Sequence, residues 1–220
     1  EFRVAQPQRR RYRDWVGRCL SAIFRSVPEP FAGGRMEVNL MKEKIRISGF
    51  ADEISTDFIS QLETVTALGM RYISLRSADG KGIADYTAQE VEEKLLPKLS
   101  EYQVKVSSLG SPIGKVGVED EEGFQKQKEQ LEELCGICKV LGCKYIRMFS
   151  FFIPEGKDPE DYRKTVIDKL GQFLEIARRH DVILLHENEK EIYGDTGARC
   201  KTLFETLGSG HFRAAFDFAN

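Results

Sequence analysis

Short apolar runs recur along the chain from residue 42 onward, and each is followed by a turn and then by a longer stretch with helical periodicity. The six runs occupy residues 44–48, 71–75, 104–108, 144–149, 182–186 and 213–217. Their first residues are separated by 27, 33, 40, 38 and 31 positions, which leaves room for a helix between consecutive strands. The pattern therefore predicts repeated β–α units with parallel strands rather than hairpins.

Between the runs, apolar residues return every three or four positions, as they do on one face of an amphipathic helix. Two of these stripes comprise Phe58, Leu62, Val65 and Leu68, and Val166, Leu170, Phe173 and Ala177. Gly69 and Gly142 closely follow a stripe and precede the next run, so we expect each to end a helix in the left-handed conformation.

Parallel strands joined by helices form either an open doubly wound sheet or a closed (β/α)8 barrel. The chain has neither GxGxxG nor GxxxxGK[ST], the phosphate-binding turns typical of open nucleotide-binding sheets. The residues therefore favour an α/β fold of the TIM-barrel type. Eight units at the observed spacing need about 270 residues, so we expect residues 42–220 to be a barrel truncated after its sixth strand.

The amino-terminal segment differs in composition from the rest of the chain. Residues 1–35 contain eight Arg, no Lys and three acidic residues, whereas the whole chain of 220 residues has a net charge of −2. We expect residues 1–41 to be a basic leader that is disordered or non-native, with the natural start at Met36 or Met41. A transit peptide or a basic nucleic-acid-binding arm is the alternative interpretation.

The composition also limits the partners and the compartment. Because the net charge is near zero, we expect neither a nucleic acid nor an anionic membrane as partner. The apolar runs are far too short to span a bilayer. Five cysteines, an odd number, favour reduced thiols and a cytoplasmic location. Cys135 and Cys138 form a CxxC pattern, but they lie within a helical apolar stripe, so we expect them to pack in the core.

In a TIM barrel the chemistry lies where strands end and the following loops begin. Glu187 directly ends an aliphatic run, and Asp217 ends the next. Two neighbouring carboxylates repel unless a proton or a cation lies between them, and hard oxygen ligands suit Mg²⁺ or Mn²⁺, with Co²⁺ or Zn²⁺ if a histidine joins them. The pattern predicts a divalent metal at Glu187 and Asp217; helix capping or pairing with lysines is the alternative.

Further polar residues at strand ends are candidates for substrate binding. They are Arg76, Lys115, Ser150, His186 and Glu189. Alternation places His186 on the opposite side of its strand from Glu187 and Glu189. Lys115 could equally be a solvated loop lysine, and a strand-end histidine is often only hydrogen-bonded to a neighbour.

Five segments at strand ends together resemble the sugar phosphate isomerase/epimerase family of xylose isomerase-like TIM barrels. They read GFADEI at 49–54, SLGSPIGK at 108–115, YIRMFSFF at 145–152, LLHENE at 184–189 and AFDFAN at 215–220. The resemblance implies a divalent metal held by Glu, Asp, His and Glu from the last four strands. Glu187 would be the first ligand and Asp217 the second, with Glu189 as the competing choice for the first; the remaining two would lie beyond Asn220.

The resemblance further implies a metal-dependent sugar or sugar-phosphate isomerase or epimerase that acts through an enediolate, with Glu187 as an acid/base group. Loss of a β-hydroxyl from the same enediolate would make it an inosose-type dehydratase. The same barrel could instead serve as an apurinic-endonuclease-like phosphodiesterase or as a sugar-binding protein without turnover. The expected partner is a small sugar or sugar phosphate, a homo-oligomer is left open, and we expect the 220-residue chain alone to be inactive.

Overall fold

The computed structural model describes residues 47–220. The expected basic leader, residues 1–41, and residues 44–46 of the first apolar run lie outside the described residues. Within the described part, the Gly49 carbonyl accepts a hydrogen bond from the Ser74 N–H at 2.9 Å, and Phe50 forms a parallel bridge with Ser74. The end of the first run therefore lies beside the second, as in a parallel sheet.

The five later runs form one parallel sheet, which confirms the predicted α/β architecture. Its strands span Tyr72–Leu75 (β1), Lys105–Gly110 (β4), Tyr145–Met148 (β5), Ile183–Glu187 (β6) and Phe212–Ala215 (β7). Neighbouring strands follow the order β1–β4–β5–β6–β7, and all four pairs are parallel. The apolar run at 213–217 had suggested that Asp217 ends the strand, but Asp217 lies two residues beyond the end of β7.

One helix precedes β1, and helices connect each later pair of consecutive sheet strands. They span Phe58–Ala67 (α1), Ala88–Glu90 (α2), Leu96–Glu101 (α3), Glu121–Leu141 (α4), Arg163–Arg179 (α5) and Gly197–Leu207 (α6), with a π-helical turn at Val91–Leu95 between α2 and α3. The stripe of α5 is fully buried, and in α1 Phe58, Leu62 and Val65 are at most 3% exposed. Leu68 departs from the prediction, because it lies just beyond the end of α1 and is 70% exposed. Gly69 and Gly142 have φ values of +75° and +63°, which confirms their predicted left-handed conformation.

A short hairpin after β1 was not predicted. It pairs Ser77–Ala78 (β2) with Lys81–Gly82 (β3) through a two-residue turn at Asp79 and Gly80. Both turn residues have positive φ, 49° and 74°, as a type I′ turn requires. The Asp-Gly dipeptide is a hairpin signal, but the surrounding stretch lacks the alternating pattern that would have drawn attention to it.

The two faces of the sheet differ in chemistry. Side chains that face the helices are apolar and buried, for example Ile73, Leu109, Ile146 and Leu184, which are fully buried. The opposite face, which lines the interior in a barrel, carries polar side chains toward the carboxyl ends of the strands. On that face the hydroxyls of Ser74 and Ser108 lie 2.7 Å apart.

Candidate functional site

Glu187, the last residue of β6, places its carboxylate on the interior face. Its side chain is only 12% exposed, and its Oε2 lies 3.5 Å from Arg147 Nη1. Burial raises the pKa of Glu187, the charge of Asp217 raises it further, and Arg147 opposes both effects. The carboxylate is therefore only partly compensated by the cations around it.

Asp217 is held beside the end of β6 by a reciprocal pair of hydrogen bonds. The Asp217 N–H donates to Asn188 Oδ1 at 2.9 Å, and Asn188 Nδ2 donates to the Asp217 carbonyl at 3.0 Å. One carboxylate oxygen of Asp217 also accepts the N–H of Ala219 at 2.7 Å. Asn188 thus ties the segment that carries Asp217 to the segment that follows Glu187.

Arg147 is a site residue that the sequence reasoning missed. It lies in β5 and sends its guanidinium to the same interior face, where the side chain is 15% exposed. Its Cζ is 5.0 Å from the centre of the Phe50 ring and 4.9 Å from that of Phe149. The alternation of β5, with buried Ile146 and Met148, was the signal that could have placed Arg147 inside.

Lys115 and Glu189 form an ion pair close to Glu187. Their Nζ and Oε2 atoms are 2.8 Å apart, and Lys115 Nζ lies 4.3 Å from the centre of the Phe149 ring. The bond from Lys115 lowers the pKa of Glu189, and the charge of Lys115 also acts on Glu187. The structure therefore brings both predicted candidates together with Glu187, paired to each other.

Arg76, which follows β1, lies at the far side of the same face. Its Nε donates to Asp52 at 2.8 Å and its Nη2 to Glu53 at 3.3 Å. Its Cζ is 4.6 Å from the centre of the Phe50 ring, so Phe50 contacts both Arg76 and Arg147. Arg76 is near the site, but its Nε and Nη2 already donate to two carboxylates.

Ser150 and His186 lie on the other side of the sheet. Ser150 Oγ is 2.9 Å from His186 Nε2 and accepts the N–H of Gly194 at 2.8 Å. The His186 ring packs against Phe204 of α6, and its burial lowers the pKa of His186 to about 4. The structure does not bring these two residues together with Glu187, and their contacts match those of a structural hydrogen-bond pair.

The cysteines of the CxxC pattern are free thiols and lie in the core, as predicted. Cys135 and Cys138 are 2% and 1% exposed.

No helix among residues 47–220 combines the length and the apolar character needed to cross a membrane.

A divalent cation can be tested against the donors that are present. Within residues 47–220 no group of three or more His, Cys, Asp or Glu side chains is placed to hold a metal ion. Glu187 and Asp217 carry carboxylate oxygens, the kind of ligand that such a cation prefers; burial is the main cause of the raised pKa of Glu187, and the charge of Asp217 adds to it against the opposing effect of Arg147. The described residues thus supply two ligands at most.

The comparisons with known proteins point to one family. A sequence model described as xylose isomerase-like TIM barrel matches residues 62–220. No curated protein matches the sequence.

Similar folds are found among solved structures. The IolI protein with a bound zinc atom is 19% identical and has a TM-score of 0.59, with 75% of this chain and 60% of that chain covered. The probable 3-DHS dehydratase AsbF from Bacillus anthracis is 13% identical with a TM-score of 0.63, and the match covers 79% of this chain and 63% of that chain. The 3-keto-D-glucoside 4-epimerase YcjR from E. coli is 15% identical with a TM-score of 0.60, and the match covers 74% of this chain and 64% of that chain. The chain thus spans about three fifths of the length of these proteins.

Proposed function

The chain belongs to the xylose isomerase-like TIM barrel family, and we propose that it carries half of the metal site of a sugar or sugar-phosphate isomerase or epimerase. Glu187 and Asp217 would hold a divalent cation, Mn²⁺, Mg²⁺, Co²⁺ or Zn²⁺. The zinc atom bound in the IolI structure supports a divalent ion in proteins of this fold. The reduced cysteines favour a cytoplasmic protein.

The observation that carries the proposal is the largely buried carboxylate of Glu187 at the end of β6, with the side chain 12% exposed and Asp217 close enough to raise its pKa. Placing a second carboxylate beside a largely buried one costs free energy unless a counter-charge joins them. Asn188 holds Asp217 beside Glu187 through two hydrogen bonds. Such placement is typical of a binding site.

The proposed chemistry is removal of a proton from the carbon next to a sugar carbonyl. A bound divalent cation would supply the positive charge that makes this proton more acidic. Glu187 would accept the proton and return it, for which a raised pKa is favourable. Two of the three similar structures carry the names of different activities, a dehydratase and an epimerase, so the proton-removal step is proposed and not one product.

The first test of this function uses the coding DNA downstream of codon 220. The proposal requires a histidine and then a glutamate at the ends of two further strands, and a reading frame that supplies neither would contradict it. On a protein that carries both, deuterium from D₂O should enter a ketose or ketose phosphate at the carbon next to the carbonyl, as measured by NMR.

The matched variants for the exchange experiment are Glu187→Gln and Glu205→Gln. Glu205 is an exposed residue of α6 that pairs with Lys201 at 3.6 Å, so its amide variant should exchange deuterium at the parent rate. Glu187→Gln should lose exchange, because the amide cannot accept the proton. Equal rates in both variants would show that Glu187 is not the base.

A further inference from the structure

Arg147 has a guanidinium whose hydrogen-bonding capacity is largely unused. A guanidinium offers five N–H donors, yet among residues 47–220 the polar contacts of Arg147 are Nη1 to Glu187 at 3.5 Å and Nη2 to the Ser111 carbonyl at 3.4 Å. Its Nε is buried and has no hydrogen-bond partner among residues 47–220. Both polar contacts are long, and one donor has none.

Such an arrangement is costly for a structural residue. Burial lowers the pKa of Arg147, and the positive charge of Arg76 lowers it further against the opposing effect of Glu187. Arg76 and Lys115 differ from Arg147, because each has a carboxylate at 2.8 Å. Arg147 is therefore less compensated than either Arg76 or Lys115.

The surrounding residues hold the Arg147 side chain in place. The rings of Phe50 and Phe149 each lie within 5.0 Å of its Cζ, a distance at which a cation is attracted to an aromatic ring. Gly110 leaves the space for Phe50, since a Cβ there would lie 2.6 Å from Phe50 Cε1 and 3.0 Å from Arg76 Cβ. The guanidinium is thus held in position with donors to spare.

We propose that Arg147 binds an oxyanion of the substrate beside Glu187, as a further residue that contacts the substrate. The 3.5 Å separation from Glu187 places that oxygen at the reacting carbons and not at a distant substituent. Removal of the proton by Glu187 leaves negative charge on the neighbouring oxygen, and Arg147 would donate hydrogen bonds to it. This role for Arg147 rests on the proposed function.

The experiment measures anion binding to the 220-residue chain by NMR of the arginine Nε–H groups, without metal. Oxalate presents two coplanar oxyanions, as an enediolate does, and inorganic phosphate presents the tetrahedral anion of a sugar phosphate. We expect the Arg147 Nε–H signal, assigned by its loss in Arg147→Lys, to shift in a saturable manner. Stronger binding of oxalate assigns the anion to the reacting carbons and supports the proposal, whereas stronger binding of phosphate assigns it to a fixed substituent and overturns the proposed position.

The variants make the proposal falsifiable. Arg147→Met should weaken binding of oxalate by about tenfold or more, and Arg147→Lys should retain part of it. Arg71 lies before β1, is exposed and donates to the Met70 carbonyl at 3.2 Å, so Arg71→Met serves as the matched control with unchanged affinity. Absence of a saturable Arg147 shift, or equal affinity in Arg147→Met and the parent, would overturn the proposal.

A separate Mn²⁺ titration distinguishes the two proposals. If Glu187→Gln weakens Mn²⁺ binding while Arg147→Met binds anions as tightly as the parent does, the proposed metal site is supported and the proposed role of Arg147 is wrong. If Arg147→Met weakens anion binding while Glu187→Gln binds Mn²⁺ as tightly as the parent does, the proposed function is wrong and the oxyanion site at Arg147 is supported.

Discussion

Replacing Ser150 by alanine tests whether the hydrogen-bonded pair of Ser150 and His186 has a structural role. Ser150 Oγ is fully buried and has two partners, the Gly194 N–H at 2.8 Å and His186 Nε2 at 2.9 Å. The variant leaves both without a partner in a region that excludes water, because His186 is 1% exposed. A buried polar group left unsatisfied costs about 1–3 kcal/mol, so the free energy of unfolding should fall by about 2–4 kcal/mol.

The assay is urea-induced unfolding followed by far-ultraviolet circular dichroism. Ser100→Ala is the matched control, since Ser100 is exposed and its hydroxyl donates only to the Leu96 carbonyl at 2.9 Å. That variant should lie within about 0.5 kcal/mol of the parent. If Ser150→Ala were as stable as Ser100→Ala, Ser150 and His186 would have no structural role, and a contact with substrate would again be the better interpretation.

Three further predictions concern backbone strain, acid stability and thiol reactivity. Gly114→Ala should destabilise the chain by about 2–4 kcal/mol, because φ at Gly114 is +84° and a Cβ would lie 2.0 Å from the Phe149 carbonyl oxygen. The control is Gly171→Ala in α5, which has free space around it and should be neutral or stabilising by up to about 1 kcal/mol. A Gly171→Ala variant less stable in urea than Gly114→Ala would contradict this prediction. Hydrogen bonds from Lys81 and Lys94 lower the pKa of Glu90 from its ordinary 4.5 to about 2, so its stabilising effect is present above pH 4.5 and is lost as the pH falls toward about 2; a ¹³C NMR titration midpoint near 4.5 would refute it. Burial raises the pKa of Cys135 to about 12, so iodoacetamide at pH 8 should label it slowly in the native chain and rapidly in urea, whereas equal rates would show that the thiol is accessible.

The strands were predictable because parallel strands buried on the helix side read as apolar runs. Their ends were less certain: the run at 213–217 continues through Phe216, yet β7 ends at Ala215. Phe216 is 71% exposed, so its apolar character does not reflect burial against the helices. Hydrophobicity alone could not distinguish the last buried position from the first exposed one.

The site was only partly predictable. Glu187 and Asp217 stood out because a carboxylate ends an aliphatic run, but the role of Asn188 depends on how the backbone at Asp217 folds back toward β6. The alternation of β5 predicts that Arg147 points inward, but the register Arg147–Leu185 between β5 and β6 was needed to place it beside Glu187. Such relations come from strand pairing and cannot be read from one segment.

The most direct test of the account is a Mn²⁺ titration of the chain followed by electron paramagnetic resonance. The account predicts one site whose affinity falls by about tenfold or more in both Glu187→Gln and Asp217→Asn, with Glu205→Gln unchanged. An affinity that is the same in all four proteins would contradict the assignment of Glu187 and Asp217 as metal ligands.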